Sequence, residues 1–259
     1  MNREERAQRA NEHYNDVKVR LANQTIASIK DTKMYGPNIK TRANSKEEIY
    51  EHSLRLADLD SVSCLFSLPL TDEKVCILNY ASYKHPGGYF LGGSSAQEEA
   101  LCHESNLYPI LLSFDDTYYD WNKGRLNNGL YLNRALYTPN VVFEHNGETR
   151  LADVLTCAAP NFRTAHNYRN ISQKQNDEVF KDRINFMLQI IEENHVERFI
   201  SGAWGCGVFM QNPSTTCELM TNTLINGNYN IPNIYYAIPG NFSSNYRAFE
   251  KCLHTIFEK

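Results

Sequence analysis

The sequence lacks long hydrophobic runs. No apolar stretch approaches the ~18 consecutive residues that a membrane-spanning helix needs, and residues 1–6 show no apolar signal-peptide segment. We therefore expect a soluble intracellular protein, located in the cytoplasm, with no membrane partner.

An excess of basic residues is also missing. The chain has 26 Lys and Arg against 30 Asp and Glu, which gives a net charge of −4. Surfaces that hold nucleic acid through its phosphates usually show clustered Lys and Arg. The charge balance argues against such a surface, so any anionic ligand must be held locally.

Metal-ligand and disulfide patterns are absent as well. The seven cysteines are odd in number and never form a CxxC pair, and the eight histidines lack the spacing of a zinc site. We expect reduced cysteines, no metal and no cofactor.

What the sequence does contain is typical of one ordered α/β domain. It has 259 residues, of which 42% are hydrophobic and 22% charged, without visible repeats or low-complexity tracts. Short apolar runs at 75–80, 153–158, 198–203 and 233–238 predict neighbouring strands of one sheet. An apolar stripe over 177–194 predicts a helix packed on that sheet. This alternation favours helices on both faces of a largely parallel sheet.

Other segments predict further elements. Residues 1–40 form a helical N-terminal extension, with a helix over about 3–30 and a break at Gly36-Pro37. The capping box Ser45-Lys46-Glu47-Glu48 opens a helix to about Ala57. Two more helices run from Pro213 to Gly227 and from about Ser243. Residues 114–148, rich in aromatic residues, are interpreted as an ordered excursion from the sheet.

A glycine-rich loop follows the strand at 75–80 and leads into a helix. Its glycines, among them Gly87 and Gly88, permit close backbone approach to an anion beside a helix N-terminus. This pattern fits a phosphate-binding loop, although it also fits a plain turn.

Two adjacent carboxylates, Glu98 and Glu99, lie at the start of that helix. Successive helical residues point about 100° apart, so we do not expect both to face the same neighbour. One glutamate would meet a substrate while the other supports it. The alternative is that both only complement the helix macrodipole.

A second glycine loop leaves the strand at 198–203 and contains Gly202, Trp204, Gly205 and Gly207. Ligands of open α/β sheets lie beyond the carboxyl ends of strands, so both loops could close on one diphosphate. Alternatively, Gly202 and Gly205 simply let Trp204 pack.

Several segments together resemble the microbial-type poly(ADP-ribose) glycohydrolase family. The similarity runs from about Asn11 to Phe257, with the same order and spacing of motifs. The segments that carry it are Asn79-Tyr80-Ala81-Ser82, Pro86-Gly87-Gly88, Ala96-Gln97-Glu98-Glu99, Ala158-Ala159-Pro160-Asn161 and Gly202-Ala203-Trp204-Gly205-Cys206-Gly207-Val208-Phe209.

The resemblance implies a macrodomain-like three-layer α/β/α sandwich over 1–259, with a mixed, mostly parallel sheet that binds ADP-ribose at its strand ends. It implies that Glu99 is the catalytic acid/base and that Glu98 holds ribose hydroxyls. It also implies two loops around the diphosphate and Phe209 near the ribose. The residues expected to bind substrate are Asn79, Gly87, Gly88, Tyr89, Gln97, Gly205, Cys206, Gly207, Val208 and Phe209.

Tyr89 departs from the family pattern, in which a third glycine typically follows Gly87-Gly88. If that position needs positive φ, a tyrosine is strained there and weakens diphosphate binding. The interpretation that we favour is that the Tyr89 ring covers the cleft as a flap.

The resemblance therefore predicts an exo-type glycohydrolase that cleaves ribose–ribose O-glycosidic bonds and releases ADP-ribose. Its partner would be ADP-ribose or poly(ADP-ribose) on a modified protein. One alternative is an ADP-ribose-binding module with little turnover. Another is a hydrolase of single ADP-ribose units on protein or on nucleic acid. The sequence does not indicate an oligomeric state.

Overall fold

The computed structural model describes residues 1–37 and 53–257. Within these ranges a sheet of seven strands forms the centre of the molecule. The strands are β1 (Lys33–Tyr35), β2 (Ser53–Ala57), β3 (Val75–Tyr80), β4 (Ala135–His145), β5 (Glu148–Cys157), β6 (Arg198–Ser201) and β7 (Asn233–Ala237). Their order across the sheet is β1-β4-β5-β3-β6-β7-β2.

Five neighbouring strands of this sheet are parallel. Strands β5, β3, β6, β7 and β2 pair in parallel, whereas β4 is antiparallel to both β1 and β5. The four runs predicted from the sequence are the contiguous strands β5, β3, β6 and β7. The four residues of β6 are all buried, which explains why this strand is a short, uninterrupted run. The carboxyl ends of all five strands meet at one edge.

Helices cover both faces of the sheet. One face carries α8 (Gln173–Glu193), α9 (Pro213–Gly227) and α10 (Ser244–Phe257). The other carries α1 (Arg3–Arg20), α3 (Ser61–Ser67), α4 (Gln97–His103) and α5 (Leu107–Leu112). The shorter or peripheral helices are α2 (Ala22–Asp31), α6 (Asp120–Lys123) and α7 (Phe162–Arg169). The predicted three-layer α/β/α sandwich with a mixed, mostly parallel sheet is confirmed.

Residues 114–148 were interpreted as an excursion from the sheet, which is wrong for Ala135–His145 because these residues form strand β4. This strand forms a hairpin with β5, closed by Asn146 and Gly147, which both have positive φ (50° and 83°). Such a turn matches the twist of two antiparallel strands. Pro139 and Asn140 interrupt the register between Thr138 and Val141. They also break the apolar run by which the strand would be recognised in the sequence.

Two predictions near the N-terminus also need correction. The expected helix over 3–30 is two helices, α1 and α2, and β1 follows them as an edge strand beside β4. The expected helix up to Ala57 is wrong at its end, because Ser53–Ala57 is the strand β2, paired with β7 along its whole length. The capping box Ser45-Lys46-Glu47-Glu48 lies outside the described residues.

In the two described ranges, no helix is both long enough and apolar enough to span a bilayer.

Candidate active site

A cavity of about 1030 Å³ opens at the carboxyl edge of the parallel strands. Each of these strands contributes to its wall through the segment that follows it. These segments carry Asp60 after β2, Ser82 after β3, Asn161 after β5, Gly205 after β6 and Ile238 after β7. This is the place where open α/β sheets bind ligands.

Helix α4 is fixed to this edge by its first residue, Gln97. The Gln97 Oε1 accepts a hydrogen bond from the backbone N–H of Tyr80 at 2.8 Å, and its Nε2 donates to the Leu78 carbonyl at 2.9 Å and to Ser61 Oγ at 3.1 Å. Gln97 lines the cavity, but its amide is engaged by the protein. It therefore holds the start of α4 against the end of β3.

Glu98 is buried beside the end of β3. Its Oε1 accepts from Asn79 Nδ2 at 3.2 Å and its Oε2 from the backbone N–H of Ser82 at 2.7 Å. Burial raises the pKa of Glu98 to about 8, and the charge of Glu99 acts in the same direction against the lowering effect of these donors. Glu98 therefore retains its proton at neutral pH. Asn79 does not line the cavity and acts through Glu98.

Glu99 is buried next to it and, within the part of the chain that the structure describes, accepts hydrogen bonds only from the backbone. Its Oε1 accepts from the N–H of Tyr89 at 2.9 Å, and its Oε2 from the N–H of Ala96 at 3.1 Å. The second bond closes the first turn of α4. The Glu99 carboxylate is thereby held in a single orientation in the cavity wall.

The two carboxylates converge on Gly88. A Cβ atom at Gly88 would lie 2.6 Å from Glu99 Oε1 and 3.1 Å from Glu98 Oε2. The expectation that the two side chains cannot face one neighbour is wrong, because their flexible side chains turn both carboxylates to the same residue. A side chain at position 88 would displace them.

The loop that contains Gly87 and Gly88 uses its N–H groups within the protein. The N–H of Gly88 donates to the His85 carbonyl at 3.1 Å, and the N–H of Tyr89 donates to Glu99 Oε1 at 2.9 Å. Only Gly88 of these three residues lines the cavity. These bonds do not support the prediction that the loop wraps a diphosphate; it holds the two carboxyl groups instead.

Tyr89 is neither strained nor directed into the cavity. Its φ is −116°, so the expected strain at this position is absent. The ring lies under the guanidinium of Arg3, 5.2 Å from its centroid, and against Gly92. The prediction that the Tyr89 ring covers the cleft as a flap is therefore wrong, because the ring packs against helix α1. It is the backbone N–H of Tyr89 that contacts Glu99.

The second glycine loop presents unbonded backbone donors. Gly205, Gly207, Val208 and Phe209 line the cavity, and their N–H groups have no acceptor within the described residues. Successive free N–H groups of this kind suit an anion. Cys206 does not line the cavity; its N–H donates to the Ala203 carbonyl at 3.1 Å and its thiol to Thr216 Oγ1 at 3.4 Å.

Trp204 is a core residue, as the alternative interpretation held. It is fully buried, packs on Phe180 at a centroid distance of 5.4 Å, and donates from Nε1 to the Cys157 carbonyl at 3.2 Å. The buried indole fixes the loop to the protein core. The residues that follow it, Gly205 and 207–209, lie at the cavity surface.

Sequence reasoning missed the wall formed by Tyr131. Its ring stacks on Tyr83 at 4.2 Å with an interplanar angle of 8°, and Phe209 meets it edge-on at 6.0 Å. Tyr131 has a φ of +62°, which is costly for a bulky residue and is often found at functional sites. The many aromatic residues of 114–148 indicated that this segment could contribute to a site. The sequence could not show that Tyr131 is the residue with a positive φ. Ser82 was also missed, although it lies within the segment 79–82 that carries the resemblance.

Among the residues that the structure describes, no group of three or more His, Cys, Asp or Glu side chains could hold a metal ion.

Solved structures of poly(ADP-ribose) glycohydrolases share this fold. The enzyme from Thermomonospora curvata bound to the inhibitor ADP-HPD superposes with a TM-score of 0.84 at 23% identity, over 96% of this chain and 99% of the other. The enzyme from Deinococcus radiodurans in complex with ADP-ribose superposes with a TM-score of 0.79 at 24% identity, over 90% and 98%. No curated protein sequence matches the chain significantly.

The family is shown by a sequence model rather than by these structures. The model of the microbial-type PARG catalytic domain matches residues 4–146, more than half of the chain. The chain belongs to the microbial-type poly(ADP-ribose) glycohydrolase family and is a glycoside hydrolase.

Proposed function

We propose that this protein cleaves the ribose–ribose O-glycosidic bonds of poly(ADP-ribose) from the free chain end, with Glu99 as general acid/base, and releases ADP-ribose. The observation that carries the proposal is the pair of buried carboxyl groups, Glu98 and Glu99, in the wall of a cavity that also holds a loop of unbonded N–H groups.

The order of strands supports this arrangement of the substrate. The loop 205–209 follows β6, and the carboxyl groups lie at the end of the neighbouring strand β3. A diphosphate on the loop would therefore place the attached ribose beside Glu98 and Glu99. Phe209, which lines the cavity next to Tyr131, would pack near that ribose.

Hydrolysis passes through an oxocarbenium-like centre, so the leaving hydroxyl must gain a proton and a water must lose one. Glu99 can do both in sequence, because it faces the cavity from a fixed orientation. Glu98 retains a proton at neutral pH and offers both a donor and an acceptor to the ribose hydroxyls. Glu99 must therefore carry the proton that it gives to the leaving oxygen, and it recovers a proton from the attacking water in the second step.

The physiological partner in this proposal is poly(ADP-ribose) carried by a modified protein, with single ADP-ribose units on protein or nucleic acid as the other possible substrate. The known ligands of the related enzymes support the ADP-ribose moiety: the T. curvata structure holds ADP-HPD and the D. radiodurans structure holds ADP-ribose. The cavity is large enough for such a ligand.

Product analysis tests the proposal. Purified protein is incubated with poly(ADP-ribose) and, separately, with singly ADP-ribosylated protein, and the products are separated by chromatography over time. We expect free ADP-ribose from the polymer at the earliest time points. Oligomers as first products would contradict exo cleavage, and tight binding of ADP-ribose without any product would indicate a binding module.

A further inference from the structure

Helix α1 contacts the tight turn at 90–93 through two arginine side chains. Arg3 Nε donates to the Gly92 carbonyl at 3.0 Å, and Arg6 Nε donates to the Gly93 carbonyl at 2.8 Å. Hydrogen bonds from a charged donor are stronger than those between neutral groups. The two guanidinium groups therefore fix the backbone of the turn.

Each of these carbonyls belongs to a peptide group whose N–H shapes the turn. The Ser94 N–H shares a peptide group with the Gly93 carbonyl and donates to the Tyr89 carbonyl at 3.2 Å. The Gly93 N–H shares a peptide group with the Gly92 carbonyl and donates to the Phe90 carbonyl at 3.0 Å. A donor bound to the carbonyl of a peptide group polarises that group and strengthens the bond that its N–H makes. The two arginines thus support both bonds that shape the turn.

Tyr89 connects this turn to the active site. Its N–H donates to Glu99 Oε1 at 2.9 Å, and its ring lies 5.2 Å from the Arg3 guanidinium. The tyrosine that stands in place of the family's usual third glycine therefore gives Arg3 a second contact with this segment. The other hydrogen bond to Glu99 within the described ranges comes from the Ala96 N–H. The orientation of Glu99 thus depends on where the turn places the Tyr89 N–H.

Helix α1 and the turn also pack tightly against each other. Gly93 has a φ of +76°, and a Cβ atom there would overlap the Arg3 carbonyl and lie 2.9 Å from the Ala7 nitrogen. Phe90 of the turn is buried, with its ring 6.5 Å from that of His13 on α1. The position of the helix therefore sets the position of the turn.

We propose that Arg3 and Arg6 are positioning residues for catalysis, which hold the turn at 90–93 so that the Tyr89 N–H keeps Glu99 in its orientation. This inference rests on the proposed function and adds helix α1 to the elements that serve it. Neither arginine lines the cavity, so both act on Glu99 rather than on the substrate. Arg6 contributes more than Arg3, because Arg6 is half-buried whereas Arg3 is exposed and its bond is more screened by solvent.

Kinetics and binding together test this role. The double variant Arg3→Met with Arg6→Met removes both donors and keeps long side chains. We expect kcat on poly(ADP-ribose) to fall about tenfold and the Kd for ADP-ribose to change less than about twofold, because a small displacement of Glu99 slows the reaction while the 205–209 loop is untouched. Hydrogen–deuterium exchange of the amides at 89–94 should become faster in this variant.

Single variants of Arg6 give a second test that does not depend on the folding of the double variant. Arg6→Lys keeps a charged donor and should retain most of the wild-type kcat, whereas Arg6→Met should lose more. Equal kcat values for these two variants would overturn the positioning role of Arg6.

Arg9→Met is the matched control, because Arg9 is exposed on the same helix and does not line the active-site cavity. It should leave kcat unchanged. Wild-type kcat in a double variant with faster exchange at 89–94 or a lower Tm would overturn the positioning role and leave the glycohydrolase proposal intact. An equally large rise in Kd would show a general disturbance of the cavity and also overturn the role. A wild-type protein that releases nothing from polymer would overturn the proposed function itself.

Discussion

Single residues give the two adjacent glutamates different environments. Glu98 accepts hydrogen bonds from the Asn79 side-chain amide and the Ser82 N–H, whereas among the described residues Glu99 accepts only from the N–H groups of Tyr89 and Ala96. Adjacent positions on one helix turn thus become a proton-retaining carboxyl and a rigidly oriented one. The division of roles proposed for catalysis follows from this difference.

The raised pKa of Glu98 predicts a pH dependence of stability. Between its ordinary value of 4.5 and about 8, the native state binds more protons than the unfolded state. The stability that Glu98 contributes is therefore complete below 4.5 and is lost as the pH rises through 8. Relative to Glu98→Gln, the wild-type free energy of unfolding should fall across this window by up to about 1.4 kcal/mol per pH unit.

Urea unfolding of both proteins at several pH values measures this difference. Parallel curves for wild type and Glu98→Gln across the window would show that Glu98 titrates normally.

Gly88 predicts a second residue-scale effect. Gly88→Ala should lower kcat by about 10²-fold, because the new Cβ would displace both carboxyl groups from their positions. Gly147→Ala is the matched control: its φ is +83°, close to the +63° of Gly88, but no atom of the described residues lies within 4 Å of its Cβ. Both variants should lose about 1–2 kcal/mol of stability from backbone strain, but only Gly88→Ala should lose activity. Steady-state kinetics and thermal unfolding distinguish them, and equal activity in the two variants would contradict the account.

In the loop after β6, we expect one glycine to affect ligand binding and another to affect the stability of the fold. Gly207 has open space at its Cβ and no positive φ, so Gly207→Val should fold normally and crowd an anion at the neighbouring N–H groups. We expect the Kd for ADP-ribose to rise about tenfold with an unchanged Tm. Gly205 has a φ of +77°, and its Cβ would lie 2.7 Å from Gln211 and 2.9 Å from Ala159. Gly205→Ala should therefore lower Tm.

Calorimetric titration and thermal melts of the two variants test the loop. Unchanged ADP-ribose affinity in a folded Gly207→Val protein would mean that the loop is only a structural turn.

The elements also show how far sequence patterns reach. Strands β3, β5, β6 and β7 could be predicted because each is a compact apolar run buried in the sheet. Strand β4 could not, because Pro139 and Asn140 break its pattern and its partner is set by the Asn146-Gly147 turn. Strand β2 is an edge strand whose form depends on β7, about 180 residues away.

Within the site, the sequence motifs predicted which segments meet but not how their atoms are used. Glu98, Glu99 and the 205–209 loop were predicted to share a cavity, and they do. The motifs could not show that the Tyr89 N–H donates to Glu99, or that the Tyr89 ring lies against Arg3. Those outcomes depend on side-chain rotamers and on the packing of α1, which the sequence pattern does not specify.

For the whole molecule, the parallel strands bring the chemistry to one edge of the sheet. The segments that follow β3, β5, β6 and β7 place the glutamates, Asn161, the unbonded N–H groups and Ile238 in the wall of one cavity. A protein with a net charge of −4 can thus offer local donors to an anion within a single cavity.

The most direct test of this account compares wild type with Glu99→Gln for ADP-ribose release and for ADP-ribose binding. The amide keeps the shape of Glu99 but cannot transfer the proton, so release from poly(ADP-ribose) should fall by about 10²-fold or more while Kd and Tm stay near the wild-type values. A folded Glu99→Gln protein that binds ADP-ribose and still hydrolyses the polymer at nearly the wild-type rate would contradict the assignment of Glu99 as the acid/base.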